Sequence, residues 1–146
     1  MSELYLIVRI AERRIAFRAS EVHSVIELEG ITPIPMAPSY VAGLAAMRSK
    51  VLTVIDCRRS LGLEDVEAGA QSKTAVVIEN DGFLYALAVD KQEDVIQADQ
   101  DPVVGSVNYG ERWSGVALGI VEAESGAALL VDASGFIHGP EAMKAA

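Results

Sequence analysis

Short apolar runs rich in valine and isoleucine recur along the chain and are separated by turn residues. Their spacing, roughly 8–12 residues, is typical of β-sandwiches and barrels. In Ile15-Ala16-Phe17, for example, the large apolar residues stand two positions apart, as in a half-buried strand. No window sustains a 3.6-residue period, so the pattern predicts an all-β fold with only short helical turns, at Arg58–Leu63 and after Asp132. Ten strands are predicted, at Leu4–Ile10, Arg14–Arg18, Val22–Leu28, Tyr40–Met47, Val51–Cys57, Thr74–Glu79, Phe83–Asp90, Glu93–Ala98, Trp113–Val121 and Ala127–Asp132.

The first half of the sequence is similar to the second half at an offset of about 70 residues. Apolar positions, valine–isoleucine pairs and the aspartates that end two strands all coincide. The repeat predicts two five-stranded units, although two β-rich halves can also align by chance. The aligned positions are Leu6 and Val8 with Val76 and Ile78, Ile15 and Phe17 with Tyr85 and Leu87, Val25-Ile26 with Val95-Ile96, Gly43-Leu44-Ala45 with Gly115-Val116-Ala117, and Leu52–Asp56 with Ala128–Asp132.

Composition places the chain among folded single domains. Its 146 residues are 51% hydrophobic and 23% charged, which is enough for a core without disulfides. The net charge of −9 disfavours nucleic acid and anionic membrane surfaces as partners. The uncharged stretch 30–47 contains three prolines, so no membrane insertion is expected there. Residues 71–146 are the more acidic half, which suggests that this half meets a basic surface.

Candidate chemistry is sparse. The two histidines, His23 and His138, stand in no metal-site spacing, and no phosphate-binding or nucleophile motif occurs. The single cysteine, Cys57, ends an apolar strand, so a core thiol is favoured over one that Arg58 activates. With one cysteine and no secretory signal at the N-terminus, we expect a cytoplasmic protein. We expect no enzyme, no catalytic residue, no metal and no cofactor; a small-molecule-binding or enzymatic β-barrel is the remote alternative.

A basic island, Met47-Arg48-Ser49-Lys50, lies at the tip of a predicted hairpin. Charge at such a tip is either a solvated turn or a partner contact, and the residues alone leave both open. The small apolar neighbours Ala45 and Ala46 would leave the Arg48 guanidinium free for a bidentate contact. Trp113, at the start of a predicted strand, is favoured as a core residue over an interface residue.

Several motifs follow one another in a fixed order. They are Ile15-Ala16-Phe17, Glu21-Val22-His23-Ser24-Val25-Ile26, the proline-rich segment Ile31–Gly43, the hairpin segment Ala45–Arg58, Leu87-Ala88-Val89-Asp90 and Gly115-Val116-Ala117. With these motifs the sequence resembles, from about Tyr5 to Ile137, the CheW-like domain family, the adaptors of bacterial chemosensory arrays.

The resemblance implies a fold and a function. The family fold is two five-stranded SH3-like barrels packed around a shared core, here a single domain over 3–138 with a C-terminal tail at 139–146. Family members are not enzymes. They bridge the cytoplasmic tips of methyl-accepting chemoreceptors to the regulatory domain of the histidine kinase CheA, which contains a homologous domain. A cytoplasmic protein recruited to receptor arrays at the inner membrane is implied, with other CheW-like domains as further possible partners.

The resemblance also assigns site residues. By position, Val22 and Arg48 correspond to receptor-facing residues, with Val25 and Val89 nearby in the groove between the barrels. It assigns no kinase-binding residue.

The chain departs from the family pattern around this hairpin. Ala46 stands for asparagine, Ser49 for glycine, Thr53 for proline, and Ser24 for a common acid. Without glycine at 49, a turn that needs positive φ is less accessible there. The changes suggest a divergent paralogue, which leaves open an alternative: a protein that serves another kinase pathway, such as surface motility, or that competes for array positions.

Overall fold

The structure of the protein is a computed structural model that describes residues 3–38, 40–62, 74–104, 110 and 113–137. Leu63, His138 and the tail 139–146 therefore lie outside the described residues. The described part contains ten strands and one short α-helix. They are β1 (Glu3–Ile10), β2 (Arg13–Arg18), β3 (Ser24–Glu27), β4 (Val41–Met47), β5 (Lys50–Asp56), α1 (Cys57–Ser60), β6 (Thr74–Asn80), β7 (Phe83–Val89), β8 (Lys91–Ala98), β9 (Ala117–Ala123) and β10 (Gly126–Val131).

The strands form two five-stranded sheets, which confirms the all-β prediction. The first sheet has the order β8-β1-β2-β10-β9 and the second the order β3-β6-β7-β5-β4. Strands at the same place in the two orders have numbers that differ by five, for example β1 and β6, or β10 and β5. The repeat predicted from the sequence is therefore present in the structure. Each sheet, however, takes two strands from one half of the chain and three from the other. The acidic second half therefore contributes strands to both sheets, and its contact with a basic partner stays a prediction.

Strand register corrects the alignment of the repeat near its end. Gly43 pairs with Val54, and Gly119 pairs with Leu130, each beside an irregularity in the ladder. The residue that corresponds to Gly43 is thus Gly119, 76 positions later, and not Gly115. An added Cβ at either glycine would lie within 3 Å of a backbone carbonyl oxygen of the preceding connection, at Thr32 or at Val103. Both sites need glycine because another strand of backbone passes directly over them.

Each sheet has an apolar interior of its own and shares a third core with the other sheet. On β1, Tyr5 and Ile7 face the interior of the first sheet, whereas Leu6 and Val8 join the shared core. Alternation along the strands thus buries both faces of each sheet. Phe17 of the first sheet lies in the shared core with its ring centre 6.1 Å from that of Phe136. Two SH3-like barrels around a shared core, the fold that the family resemblance implied, are confirmed.

The chain crosses between the sheets twice. The first crossover is residues 19–23, which contain a 3-10 turn, and the second is Asp90. Because of the first crossover, Val22 precedes β3 rather than lying within it. Likewise Trp113 stands in a turn before β9, although its burial, at 7% exposed, confirms it as a core residue.

Both predicted helical turns are present. Asp56 caps α1 by accepting hydrogen bonds from the amides of Arg58 and Arg59, at 3.0 and 3.3 Å. Asp132 similarly begins a 3-10 turn at Ala133–Phe136. Cys57, the first residue of α1, is fully buried, and burial raises the pKa of its thiol well above the usual value. Its thiol is therefore inert and belongs to the core. No helix in the described ranges is long and apolar enough to span a membrane.

Candidate functional site

Two hairpin turns lie at the same end of the second sheet. Strands β5 and β7 run parallel, with Thr53 opposite Tyr85, so they begin at the same end. The turn Arg48-Ser49 precedes β5, and the turn Asp81-Gly82 precedes β7. Strand β3 starts opposite Val77, in the middle of β6, and Val22, which precedes the strand, lines a cleft together with Asp81 and Gly82. We call this region, with its two turns and the start of β3, the turn end of the second sheet.

Arg48 is exposed and occupies the turn itself. Met47 pairs with Lys50, so Arg48 and Ser49 are the two turn residues. The positive φ, +58°, falls on Arg48, and Ser49 does not need the glycine that the family has there. Among the described residues, no hydrogen bond or ion pair holds the Arg48 guanidinium. The side chain is therefore available to a partner.

Val22 and Val25 stand on either side of Ser24 at the start of β3. Both are half-buried and pack against the shared core from the start of β3. The hydroxyl of Ser24, between them, donates to the sulfur of Met47 at 3.9 Å, which joins the start of β3 to the Arg48 hairpin. The fold thus brings three of the four residues that the resemblance assigned to one end of the second sheet.

Val89 is the exception. It is 1% exposed, packs in the shared core and pairs with Thr74 at the opposite end of β7. Six strand positions, about 20 Å, separate it from Phe83 at the turn end. In this structure Val89 is thus a core residue, apart from the other three, and its contact with a receptor stays a prediction of the resemblance.

An acidic cleft opens beside the turn end. It has a volume of about 600 Å³ and lies between the crossover 19–23, the Asp81-Gly82 turn and the start of the 3-10 turn after Asp132. Carboxylates of Glu21, Glu79, Asp81 and Asp132 line it. Within the described part of the chain, no group of three or more histidine, cysteine or acidic side chains is arranged to hold a metal ion.

The surroundings of Glu21 in the cleft shift the pKa of its carboxyl group. Burial raises the pKa of its carboxyl; Asp132 and Glu3 also raise it, and Arg18 opposes them. A raised pKa means that the charged form is less favourable in the folded state than in the unfolded state. The resulting loss of stability appears as pH rises through the pKa of Glu21 and is absent at lower pH.

We therefore expect Glu21→Gln to melt at a higher temperature than the wild type at pH 7. The difference should disappear below about pH 4, where Glu21 is protonated in both states. Thermal melting at a series of pH values measures this, with Glu122→Gln, an exposed position on β9, as the control. A Glu21→Gln difference that is constant with pH would contradict the electrostatic explanation.

The second crossover, at Asp90, is held by side-chain contacts. Arg58 forms a bidentate ion pair with Asp90, and its Nε lies 3.0 Å from Oδ1. The second carboxylate oxygen of Asp90 also accepts from the amide of Ala11 at 2.9 Å, and the Asp90 amide donates to the Arg9 carbonyl at 2.9 Å. This cluster, the Arg58–Asp90 clasp, joins the ends of β1, β5 and β7. The sequence does not reveal this pairing, because neither an arginine nor an aspartate is unusual after a strand.

Comparison with known proteins gives consistent matches. A family model for the CheW-like domain matches residues 4–141. The chain is 22% identical over 123 residues to the "Chemotaxis protein CheW" of Thermotoga maritima, which covers 84% of this chain and 80% of that protein. Its fold is similar to the crystal structure of the scaffolding protein TtCheW from Thermoanaerobacter tengcongensis, with a TM-score of 0.76, 23% identity and 90% of each chain covered.

Proposed function

The chain belongs to the CheW-like domain family, and from this premise we propose that it couples the cytoplasmic tips of chemoreceptors to a CheA-type histidine kinase. The family is one of non-catalytic chemotaxis scaffolds. The observation that carries the receptor contact is Arg48, which is exposed in the turn of a hairpin that Ser24 joins to the segment with the half-buried Val22 and Val25. An exposed arginine next to apolar side chains is a typical anchor of protein interfaces.

Such an adaptor would act by thermodynamic linkage. If it binds receptor and kinase together, and binds one receptor state more tightly, the kinase equilibrium shifts by that difference in affinity. This mechanism requires that the two partners bind at separate surfaces of the protein. We place the protein in the cytoplasm at receptor arrays beneath the inner membrane, where both partners are accessible to it.

A second candidate function is favoured by the residues around Arg48. Ala46 and Ser49 are exposed where the family has asparagine and glycine, and Thr53 is half-buried where it has proline. These changes fall on the proposed receptor contact and leave the shared core intact. A CheW-like protein that serves a different receptor or kinase pathway, or that occupies array positions without receptor, would have this pattern.

Arg48→Ala tests the receptor contact. We expect it to weaken binding of a chemoreceptor cytoplasmic fragment at least tenfold, since truncation of an interface anchor costs 2 kcal/mol or more. The free energy of unfolding should change by less than about 0.5 kcal/mol, because the side chain is exposed and alanine keeps the same backbone conformation. Titration calorimetry with a receptor fragment and a CheA regulatory domain from the same genome measures both affinities.

Lys50→Ala is the matched control. Lys50 is the other cation of the hairpin, but it alternates with Val51 and lies on the opposite face of the sheet. Loss of receptor binding in both variants would indicate a general charge effect instead of an Arg48 contact. If the protein binds the kinase domain but not the receptor fragment, and Arg48→Ala leaves the kinase affinity unaltered, the second candidate function would be favoured. A large loss of stability would make Arg48 a structural residue.

A further inference from the structure

Two large apolar side chains at the turn end of the second sheet are uncovered. Phe83 is 67% exposed and Val51 is 65% exposed. Both lie on the face of the sheet that elsewhere forms the shared core, because Leu87 and Ile55, an even number of positions further along β7 and β5, are buried in that core. The core-forming face thus extends beyond the area that the first sheet covers.

Ala46 completes a row across three neighbouring strands. It is exposed and pairs directly with Val51 across the β4–β5 hairpin. Phe83 lies on the neighbouring strand β7, opposite Val51 on β5, because each residue comes two positions before a member of the Thr53–Tyr85 register pair. Three strands span about 10 Å, which is the diameter of one α-helix with its side chains. We call this row, Ala46, Val51 and Phe83, the Phe83 patch.

Opposite charges stand on the two sides of the Phe83 patch. Arg48 lies in the turn next to Ala46 and Val51, and Asp81 lies in the turn next to Phe83. Both side chains are exposed. A segment that fits the patch would therefore carry a carboxylate on the side toward Arg48 and a cationic group on the side toward Asp81.

In the first sheet the corresponding face is covered. The repeat places Arg13 at the position of Phe83, and there the chain supplies its own cover, since the Arg13 guanidinium carbon lies 5.3 Å from the ring centre of Trp113. Arg13 is half-buried, whereas Phe83 is 67% exposed. The second sheet leaves the corresponding surface open and apolar.

We propose that the Phe83 patch binds an α-helix of the chemoreceptor tip, with Phe83 and Val51 as apolar anchors between an Arg48–carboxylate contact and an Asp81–cation contact. This inference rests on the proposed adaptor function and adds to it a binding surface and an orientation for the helix. The patch is continuous with the Arg48 contact, so one helix can engage both. Aromatic anchors at the centre of an interface carry a large share of its affinity.

The test compares Phe83→Asp with Val104→Asp. Val104 is 72% exposed and lies on the connection before β9, in the other part of the molecule, so it carries the same change of charge on an equally exposed apolar residue. We expect Phe83→Asp to weaken binding of the receptor cytoplasmic fragment at least about tenfold and Val104→Asp less than about twofold. Val51→Ser, a smaller change on the neighbouring strand, should weaken binding in the same direction. Melting curves of each full-length variant establish that it is folded.

The outcomes separate this inference from the proposed function. If Arg48→Ala loses the receptor fragment while Phe83→Asp and Val51→Ser bind it like the wild type, the adaptor function stands and the Phe83 patch does not. If the wild type fails to bind the receptor fragment, both fail. Equal losses for Phe83→Asp and Val104→Asp would also overturn the patch, because the effect would then be one of added charge alone.

Discussion

Gly43→Ala is expected to lower the free energy of unfolding by about 3–4 kcal/mol, the sum of a steric term and a backbone term. An added Cβ would stand 2.3 Å from the Thr32 carbonyl oxygen and 2.7 Å from Cγ2 of Ile31. The Thr32 backbone cannot retreat without losing its two hydrogen bonds to Leu44, each 2.8 Å long. The φ of Gly43, +149°, is also one that residues with a Cβ rarely adopt. The loss would be a large fraction of the stability of an ordinary domain.

Substitutions at two other glycines distinguish the steric contribution from the backbone contribution. Gly82 has a φ of +83° but nothing within 4 Å of its added Cβ, so Gly82→Ala should show only the backbone cost, about 1 kcal/mol. Gly30 has open space around it and no such φ, so Gly30→Ala should be neutral or slightly stabilising. Urea unfolding followed by circular dichroism measures all three. If Gly43→Ala were no more destabilising than Gly82→Ala, the close approach of Thr32 would be of no energetic consequence.

Gly43 also shows what the sequence alone could predict. Hydrophobic alternation locates β4 to within one residue, because alternation is a property of each strand by itself. Alternation does not show which strands pair. The repeat indicates that two segments are alike, but β10 pairs with β2 and β5 pairs with β7, so each sheet combines both halves. Interleaving of this kind depends on tertiary packing and leaves no signal in the order of the strands.

Strand starts were the other error, for a common physical reason. Val22 and Trp113 are apolar residues next to apolar runs, and both were assigned to strands. In the structure Val22 lies in the first crossover, with an extended backbone, and Trp113 lies in a turn; both side chains pack against the shared core. An apolar residue of a connection and one of a strand have the same hydrophobic character when they pack against the same core, and only strand pairing distinguishes them.

The candidate site was only partly accessible to sequence reasoning. Arg48 was found through its motif and its turn, and the structure places it in the open. Val89 follows Tyr85 and Leu87 with a period of two, so its pattern favours a core residue, and the groove position came only from the resemblance. Phe83 continues the same alternation, which cannot reveal that the sheet packing stops before it. Exposure of an apolar strand residue is set by the neighbouring sheet.

Asp90→Ala is expected to lower the free energy of unfolding by about 2–3 kcal/mol, since hydrogen bonds to charged groups contribute about 1.5–3 kcal/mol. The change leaves the Arg58 guanidinium and the Ala11 amide without their shared acceptor. The side chains of Arg58 and Asp90 are 25% and 29% exposed, so water replaces part of the loss and the cost stays below that of a fully buried pair. Asp99→Ala, at an exposed carboxylate, should cost less than about 0.5 kcal/mol. Chemical unfolding of both variants measures the contrast.

A double-mutant cycle assigns the stabilisation to the clasp itself. Arg58→Ala should cost less than Asp90→Ala, because Asp90 would keep its bond to the Ala11 amide, and the double variant should cost less than the two together. Additive losses would mean that the two residues act independently. The repeat places Ser20 and Ser134 at the positions of Asp90 and Arg58 in the other crossover, where the acidic cleft remains open. Non-additivity at Arg58 and Asp90 would therefore show that the second crossover is held by this ion pair, whereas the two serines at the corresponding positions beside the proposed receptor surface carry no charge to form one.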